Sequence, residues 1–172
     1  IGAGSSNDVC NGGYIVGGIL NLSCGNSDFI GAGRNNSISG YSNEESAIVG
    51  GCCNTISGAY CKQSFIGGGC NNIICSTNNT VIVGGILNTS SAACSFIGGG
   101  KSNNILSTHT DSFIVGSNII SHATCTTHVN NLTVSGSAAG TSVVMMRGLP
   151  TSDPLNVDQL WNDSGTLKVS AG

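Results

Sequence analysis

Residues Ser95 to Ile105 read SFIGGGKSNNI, Ser64 to Ile74 read SFIGGGCNNII, and Ser46 to Ile56 read SAIVGGCCNTI. The shared phrase is a small polar residue, an Ile with a variable neighbour on each side, a glycine pair, an Asn and a second Ile. It recurs with its first Ile at positions 1, 15, 30, 48, 66, 82, 97 and 114, in steps of 14, 15, 18, 18, 16, 15 and 17 residues. A period this short cannot hold a βαβ unit, whose crossover alone takes about a dozen residues. It can hold one coil of a parallel β-solenoid, with two short strands per coil and the next coil stacked about 4.8 Å away. The expected fold is all-β: a parallel β-solenoid (β-roll) of about eight coils of 14–18 residues.

Aligned on the first Ile, the repeats form columns. Three residues on stand Gly4, Gly18, Gly33, Gly51, Gly69, Gly85 and Gly100, then Ser117. A glycine at that place supplies a positive-φ corner or a close backbone approach. Six residues on stand Asn7, Asn21, Asn36, Asn54, Asn72, Asn88 and Asn103, with Asn118 two residues early in the last repeat. Amides stacked in one column can hydrogen-bond from coil to coil as a ladder. Val9, Ile38, Ile56, Ile74, Ile105 and Ile120 make a second apolar column. Ser46, Ser64, Thr80, Ser95 and Ser112 precede the first Ile by two residues. Extra residues fall after the second strand, so loops are expected at 40–45, 58–63 and 106–112.

The residue after each first Ile alternates: Gly2, Val16, Gly31, Val49, Gly67, Val83, Gly98, Val115. The residue before it co-varies, with Phe29, Phe65 and Phe96 accompanying Gly, and Ala47 and Val81 accompanying Val. These positions share the strand face opposite the Ile. Large-plus-none trading with small-plus-Val keeps the local volume level, as close packing demands. The second face then needs a partner chain. A homo-oligomer is expected, most simply a trimer about the long axis; a monomeric solenoid with an exposed apolar stripe is the alternative.

Composition agrees with this reading. Gly, Ser, Asn and Thr supply about half of the 172 residues, and only 8% are charged. A helical bundle is excluded, since these are poor helix formers. Many Ile and Val with little charge argue against disorder. No apolar run approaches the roughly 18 residues of a membrane span. The chain opens on Ile1 with no initiator Met and no basic-plus-apolar leader, which reads as a fragment or processed product. Residues 1–127 are assigned to the solenoid and 128–147 to a connecting strand segment. Residues 148–172, with an NDSG turn between QLW and TLKVS, form a small C-terminal β-hairpin module anchored by Trp161.

The phrases AIVGG, SFIGGG and VIVGG resemble degenerate versions of the β-roll repeats in trimeric autotransporter adhesins (YadA-like heads). The chain is also similar to repetitive fibre and adhesin-like proteins of phages and large algal viruses, which carry such arrays followed by a VNNL strand and a GLPTSDP…QLW.DSGTLKVS ending. Here those motifs are Ser95 to Gly100, Thr126 to Val134 and Gly148 to Ser170. The resemblance covers nearly the whole chain. It implies a trimeric, elongated module of a tail fibre or virion surface.

Nine cysteines are present. Cys10 and Cys24 share the column nine residues past the Ile, and Cys52 and Cys70 share the column four past it. Vertical neighbours lie within disulfide range, so Cys10–Cys24 and Cys52–Cys70 are the permitted pairs. The alternative is that Cys substitutes for Ser as a small buried residue, with thiols kept in a reducing cytosol. No Cys-x-x-Cys occurs. His122, Cys125 and His128 have metal-ligand chemistry, but their three-residue spacing on a strand puts neighbours on opposite faces, and no metal or cofactor is expected. Carboxylates share no column, and a glycan-cleaving pair would require Asp111 and Glu44 or Glu45 to converge across three to four coils. The Gly runs lack a phosphate-loop context, and five scattered basic residues make no nucleic-acid footprint.

The expected function is therefore non-enzymatic: a structural and attachment subunit of a viral fibre, on the virion surface or otherwise extracellular. Its partners would be itself, other virion proteins and host surface polysaccharide. Tyr41, Asn43, Glu44, Tyr60, Lys62, His109 and Asp111 are the candidate glycan-contacting loop residues, with avidity from several copies. A self-assembling extracellular filament or capsid-decoration protein, and a glycan depolymerase tailspike, are the alternatives.

Overall fold

The structure is a computed structural model; it describes residues 1–40, 43–58, 61–75, 78–133, 149–155 and 157–171. All regular elements among the described residues are strands. Two compact units are present, Ile1–Asn131 and Leu132–Gly172.

The first unit is a parallel β-solenoid with two walls. One wall holds seven strands in the order β1 (Asp8–Val9), β3 (Leu22–Ser23), β5 (Ser37–Ser39), β7 (Thr55–Ser57), β9 (Ile73–Ile74), β11 (Thr89–Ser90) and β13 (Asn104–Ile105). The other holds eight: β2 (Tyr14–Ile15), β4 (Phe29–Ile30), β6 (Ala47–Ile48), β8 (Phe65–Ile66), β10 (Val81–Ile82), β12 (Phe96–Ile97), β14 (Phe113–Val115) and β15 (Thr127–Val129). Every pairing within a wall is parallel and joins equivalent residues, as in Ile48↔Ile66 and Ile56↔Ile74. The interior is a double stack of isoleucines. Ile15, Ile30, Ile48, Ile66, Ile82, Ile97 and Ile114 face Ile38, Ile56, Ile74 and Ile105, all buried. At roughly 1.5–3 kcal/mol per buried aliphatic side chain, this stack is the main apolar term, since among the described residues the core holds little else besides Cys61 and Ala92.

Strands of two or three residues leave most backbone groups at the corners, where backbone hydrogen bonds from coil to coil, such as Arg34 N–H to the Gly51 carbonyl, are supplemented by side chains. Asn54 shows the scheme. Its Oδ1 accepts the Asn72 N–H (3.0 Å), while its Nδ2 donates to the Gly50 carbonyl in its own coil (3.0 Å), the Gly69 carbonyl in the next (3.1 Å) and Asn36 Oδ1 in the previous one (3.2 Å). The same pattern runs from Asn7 to Asn103. Gly51 is required beside it for two reasons. Its φ is +87°, and a Cβ there would lie 2.2 Å from the Gly69 carbonyl oxygen and 2.8 Å from Asn54 Nδ2.

The last coils differ from the expected register. Gly116 stacks on Gly100, so the chain reaches the ladder one residue sooner. Ile119 N–H, not an Asn, donates to Asn103 Oδ1. Asn118 takes a left-handed corner (φ 58°). Ile120 consequently points outward at 63% exposure, and Ser121 enters the interior at 2%. The solenoid also extends beyond residue 127. β15 pairs with β14, and His128 continues the isoleucine column opposite Ile114. Within the segment 128–147, residues 134 to 147 lie outside the described residues.

In the second unit, β16 (Leu160–Asp163) and β17 (Thr166–Val169) pair antiparallel. Ser164 (φ 49°) and Gly165 (φ 97°) make the two-residue loop with both residues left-handed, the geometry that matches strand twist in a hairpin. Asn162 Oδ1 accepts the Gly165 N–H (2.7 Å) and closes it. Lys168 pairs with Asp163 and lies 5.4 Å over the Trp161 ring.

Candidate functional site

Two surfaces of the solenoid carry the candidate functional residues. The first is the outer face of the eight-stranded wall. Tyr14, Val16, Phe29, Val49, Phe65, Val83, Phe113 and Val115 are all exposed on it, with Phe96 half-buried between them. No charged side chain stands among these positions. The Phe/Gly partnership within a coil is direct. A Cβ on Gly31 would meet Phe29 Cε1 at 3.5 Å, and one on Gly67 would meet Phe65 Cε1 at 3.3 Å. Each ring thus reaches over its own glycine. Those glycines also approach the next strand, since the same Cβ would lie 2.3 Å from the Val49 carbonyl oxygen or 2.2 Å from that of Val83. The alternation therefore has a backbone cause in addition to the volume trade.

The second surface is the edge preceding the eight-stranded wall, where the long coils place their extra residues. Parallel bridges align Asn26, Glu44, Lys62 and Asn78 along it. Lys62 Nζ donates to Glu44 Oε2 at 2.7 Å, with both side chains about two-fifths exposed (41% and 40%). Gln63 Nε2 donates to Glu45 Oε2 at 3.0 Å one position on. Ser27, Glu45, Gln63, Asn79, Cys94, Asp111 and Cys125 turn this corner with positive φ. Asn and Asp tolerate that conformation through local hydrogen bonding; the other residue types here carry no such signature, so the corner is not apparent from residue type.

The candidate loop residues separate in the structure. Glu44 and Lys62 form the ion pair. Asn43 turns inward instead, 1% exposed, with its Oδ1 accepting the Cys61 N–H at 3.2 Å. His109 Nδ1 lies 2.8 Å from Ser121 Oγ, which also accepts the Leu106 N–H. Asp111 is exposed at a left-handed corner. Tyr41 and Tyr60 lie outside the described residues. Glu45 and Asp111 occupy the same column four coils apart, on the order of 19 Å at 4.8 Å per coil. A glycosidase pair stands about 5–9.5 Å apart, so these carboxylates are not assembled for that chemistry.

Among the described residues, Asp28 is the one carboxylate in the solenoid interior. It occupies the column of Ser46 and Ser64, and its corner copies the ladder geometry. Its Oδ1 accepts the Ser46 N–H at 3.0 Å, as Asn36 Oδ1 accepts that of Asn54. Gly25 sits beside it as Gly33 sits beside Asn36. Its Oδ2 has no hydrogen-bond partner among the described residues. Burial pushes its carboxyl above the ordinary range, and Glu44 adds to this, against the opposing pull of the Ser46 and Gly25 backbone N–H groups.

Among the cysteines, Cys10 and Cys24 are joined by a disulfide between adjacent coils, Cα atoms 4.4 Å apart. Cys52 and Cys70 are thiols with their Sγ atoms 2.7 Å apart. His122 and His128 do come together, edge to face at 4.5 Å, because the chain turns at Cys125; the His122 N–H donates to His128 Nε2. Cys125 itself is exposed. No group of three or more His, Cys, Asp or Glu among the described residues could hold a metal ion.

No protein-family model matches the chain, and no curated protein matches its sequence.

Proposed function

We propose that the chain is a non-enzymatic structural and attachment subunit of a fibre, built from several copies packed side by side through the eight-stranded wall. The observation that carries this reading is the uncharged apolar stripe from Tyr14 to Val115. At roughly 150–250 Å² per aromatic side chain, Tyr14, Phe29, Phe65 and Phe113 alone leave about 300–450 Å² in water, and Val16, Val49, Val83 and Val115 enlarge the stripe. A monomer's largest exposed apolar patch is typically about 300–600 Å², and a stable interface takes about 800 Å² from each partner. Three copies about the solenoid axis are the closed arrangement that the resemblance to trimeric adhesin heads implies. The resemblance to viral fibre and adhesin repeats adds the location, a virion surface or other extracellular fibre. The polar edge carrying Glu44, Glu45, Lys62 and Gln63 is the surface offered to host polysaccharide, where weak contacts multiply over the copies.

Light scattering on the purified chain tests the assembly. A trimer mass is expected, and a monomer at micromolar concentration overturns the reading. End-to-end polymers in electron micrographs would make it a filament protein, and release of reducing sugar from host glycans would make it a depolymerase.

A further inference from the structure

The column four residues past the interior Ile runs through Ser5, Ile19, Arg34, Cys52, Cys70, Ile86 and Lys101, joined by successive parallel bridges. Cys52 and Cys70 are therefore held one above the other. The Cys52 N–H donates to the Gly69 carbonyl (2.9 Å), and the Asn71 N–H donates to the Cys52 carbonyl (3.0 Å), which pins the backbone on both sides of the pair. Stacking sets the Cα spacing near 4.8 Å, inside the range a disulfide accepts. The sulfurs, 2.7 Å apart, need move only several tenths of an ångström to reach the bonded distance of about 2.05 Å. Both thiols are half-buried. Asn71 Nδ2 donates to Cys70 Sγ at 3.3 Å. The Cys52 thiol is pushed up by the hydrogen bond it shares with Cys70, while Cys53 and Arg34 pull it the other way.

We propose that Cys52 and Cys70 are a redox-closed staple: free thiols in a reducing compartment, and an inter-coil disulfide once the protein meets a small-molecule disulfide. It locks the middle coils, which Cys10–Cys24 does not reach. In the closing step the Cys70 thiolate attacks one sulfur of oxidised glutathione, breaking that disulfide and releasing one glutathione thiolate. The Cys52 thiolate then attacks the Cys70 sulfur of the mixed disulfide, forming the Cys52–Cys70 bond and expelling the second glutathione. Two cysteine thiols are oxidised and one glutathione disulfide is reduced, and the two cysteine protons end on the two glutathiones. The inference is independent of self-association.

The test is to treat the reduced full chain with oxidised glutathione, alkylate the remaining thiols and map the cross-linked peptides by mass. The expected product links the Cys52 and Cys70 peptides with the loss of two hydrogens. The link disappears in Cys52→Ser and Cys70→Ser and persists in Cys53→Ser. Its closure raises Tm by about 5 °C in the wild type and in Cys53→Ser. Recovery of Cys52 and Cys70 as alkylated thiols, or as separate glutathione adducts, overturns the proposal. So does a bridge that survives Cys70→Ser by using Cys53 or Cys61. Because mapping of the wild type and of Cys53→Ser decides the bond, poor folding of either of the other variants would not obscure the answer.

Discussion

The two walls of the solenoid are alike inside and unlike outside. Each lines the interior mainly with Ile, the seven-stranded wall carrying buried Ser23 and Ser90 at two of its inward positions, and each pairs equivalent residues in parallel register. Outside, the seven-stranded wall shows mostly small polar residues, such as Ser37, Ser39, Thr55, Ser57, Thr89 and Ser91, whereas the eight-stranded wall shows Tyr, Phe and Val. Burial in the interior favours Ile at most inward positions of both walls. The outer columns differ, and on the reading proposed above the apolar wall is the one a second copy would cover.

The corner that joins the walls is the most sensitive place to break the arrangement. Gly51→Ala brings a Cβ to 2.2 Å from the Gly69 oxygen at φ +87°. It is expected to cost about 3 kcal/mol or more, seen as loss of the cooperative urea transition. Next come the interior columns. Ile66→Ala and Ile56→Ala, on opposite walls and both fully buried, should destabilise by about 2–5 kcal/mol each. Clearly unequal urea midpoints would deny that the interiors are equivalent.

The outer faces should separate where the interiors do not. Val83→Asp should abolish the oligomer in light scattering, while Thr89→Asp on the other wall should leave its mass unchanged. Equal effects would remove the distinction between the walls.

A smaller effect is expected at Asp28. A carboxyl raised by burial favours its neutral form in the folded state, so its contribution is fully present at acid pH and is lost as pH rises through the folded-state pKa. Asp28→Asn should stabilise the chain at neutral pH by about 1–2 kcal/mol, with the gain vanishing near pH 3 in urea titrations. A gain independent of pH would assign the effect to packing alone. The smallest effect belongs to Glu44→Gln, which removes a solvent-exposed pair and should change stability by less than about 1 kcal/mol.

Much of this was legible because a repeat exposes its own constraints. The isoleucine columns, the Asn ladder and its glycine follow from period and residue type, since one coil must meet the next through identical groups. The slip in the eighth coil was not legible. Counting from Ile114 puts Ile120 in the interior, but the stacked carbonyls choose Gly116 as the corner and so bring Ile119 to the ladder and Ser121 inside. Asn43 reads as a loop residue by the same counting, yet the neighbouring coil's Cys61 N–H draws it inward. Leu20, Leu87 and Cys53 at left-handed corners break every local preference, because the coil must turn there whichever side chain it carries.

By itself, the sequence determined that the chain coils, at what period, and which columns hold coil to coil, because those properties depend only on residues repeating at a fixed spacing. The tertiary structure decided what repetition leaves open: where an over-long or shortened coil finds its register, that Phe29 and Phe65 reach over glycines already crowded by the next strand, and that Cys52 and Cys70 meet sulfur to sulfur. These outcomes depend on contacts between backbones one coil apart, and spacing along the chain does not specify them.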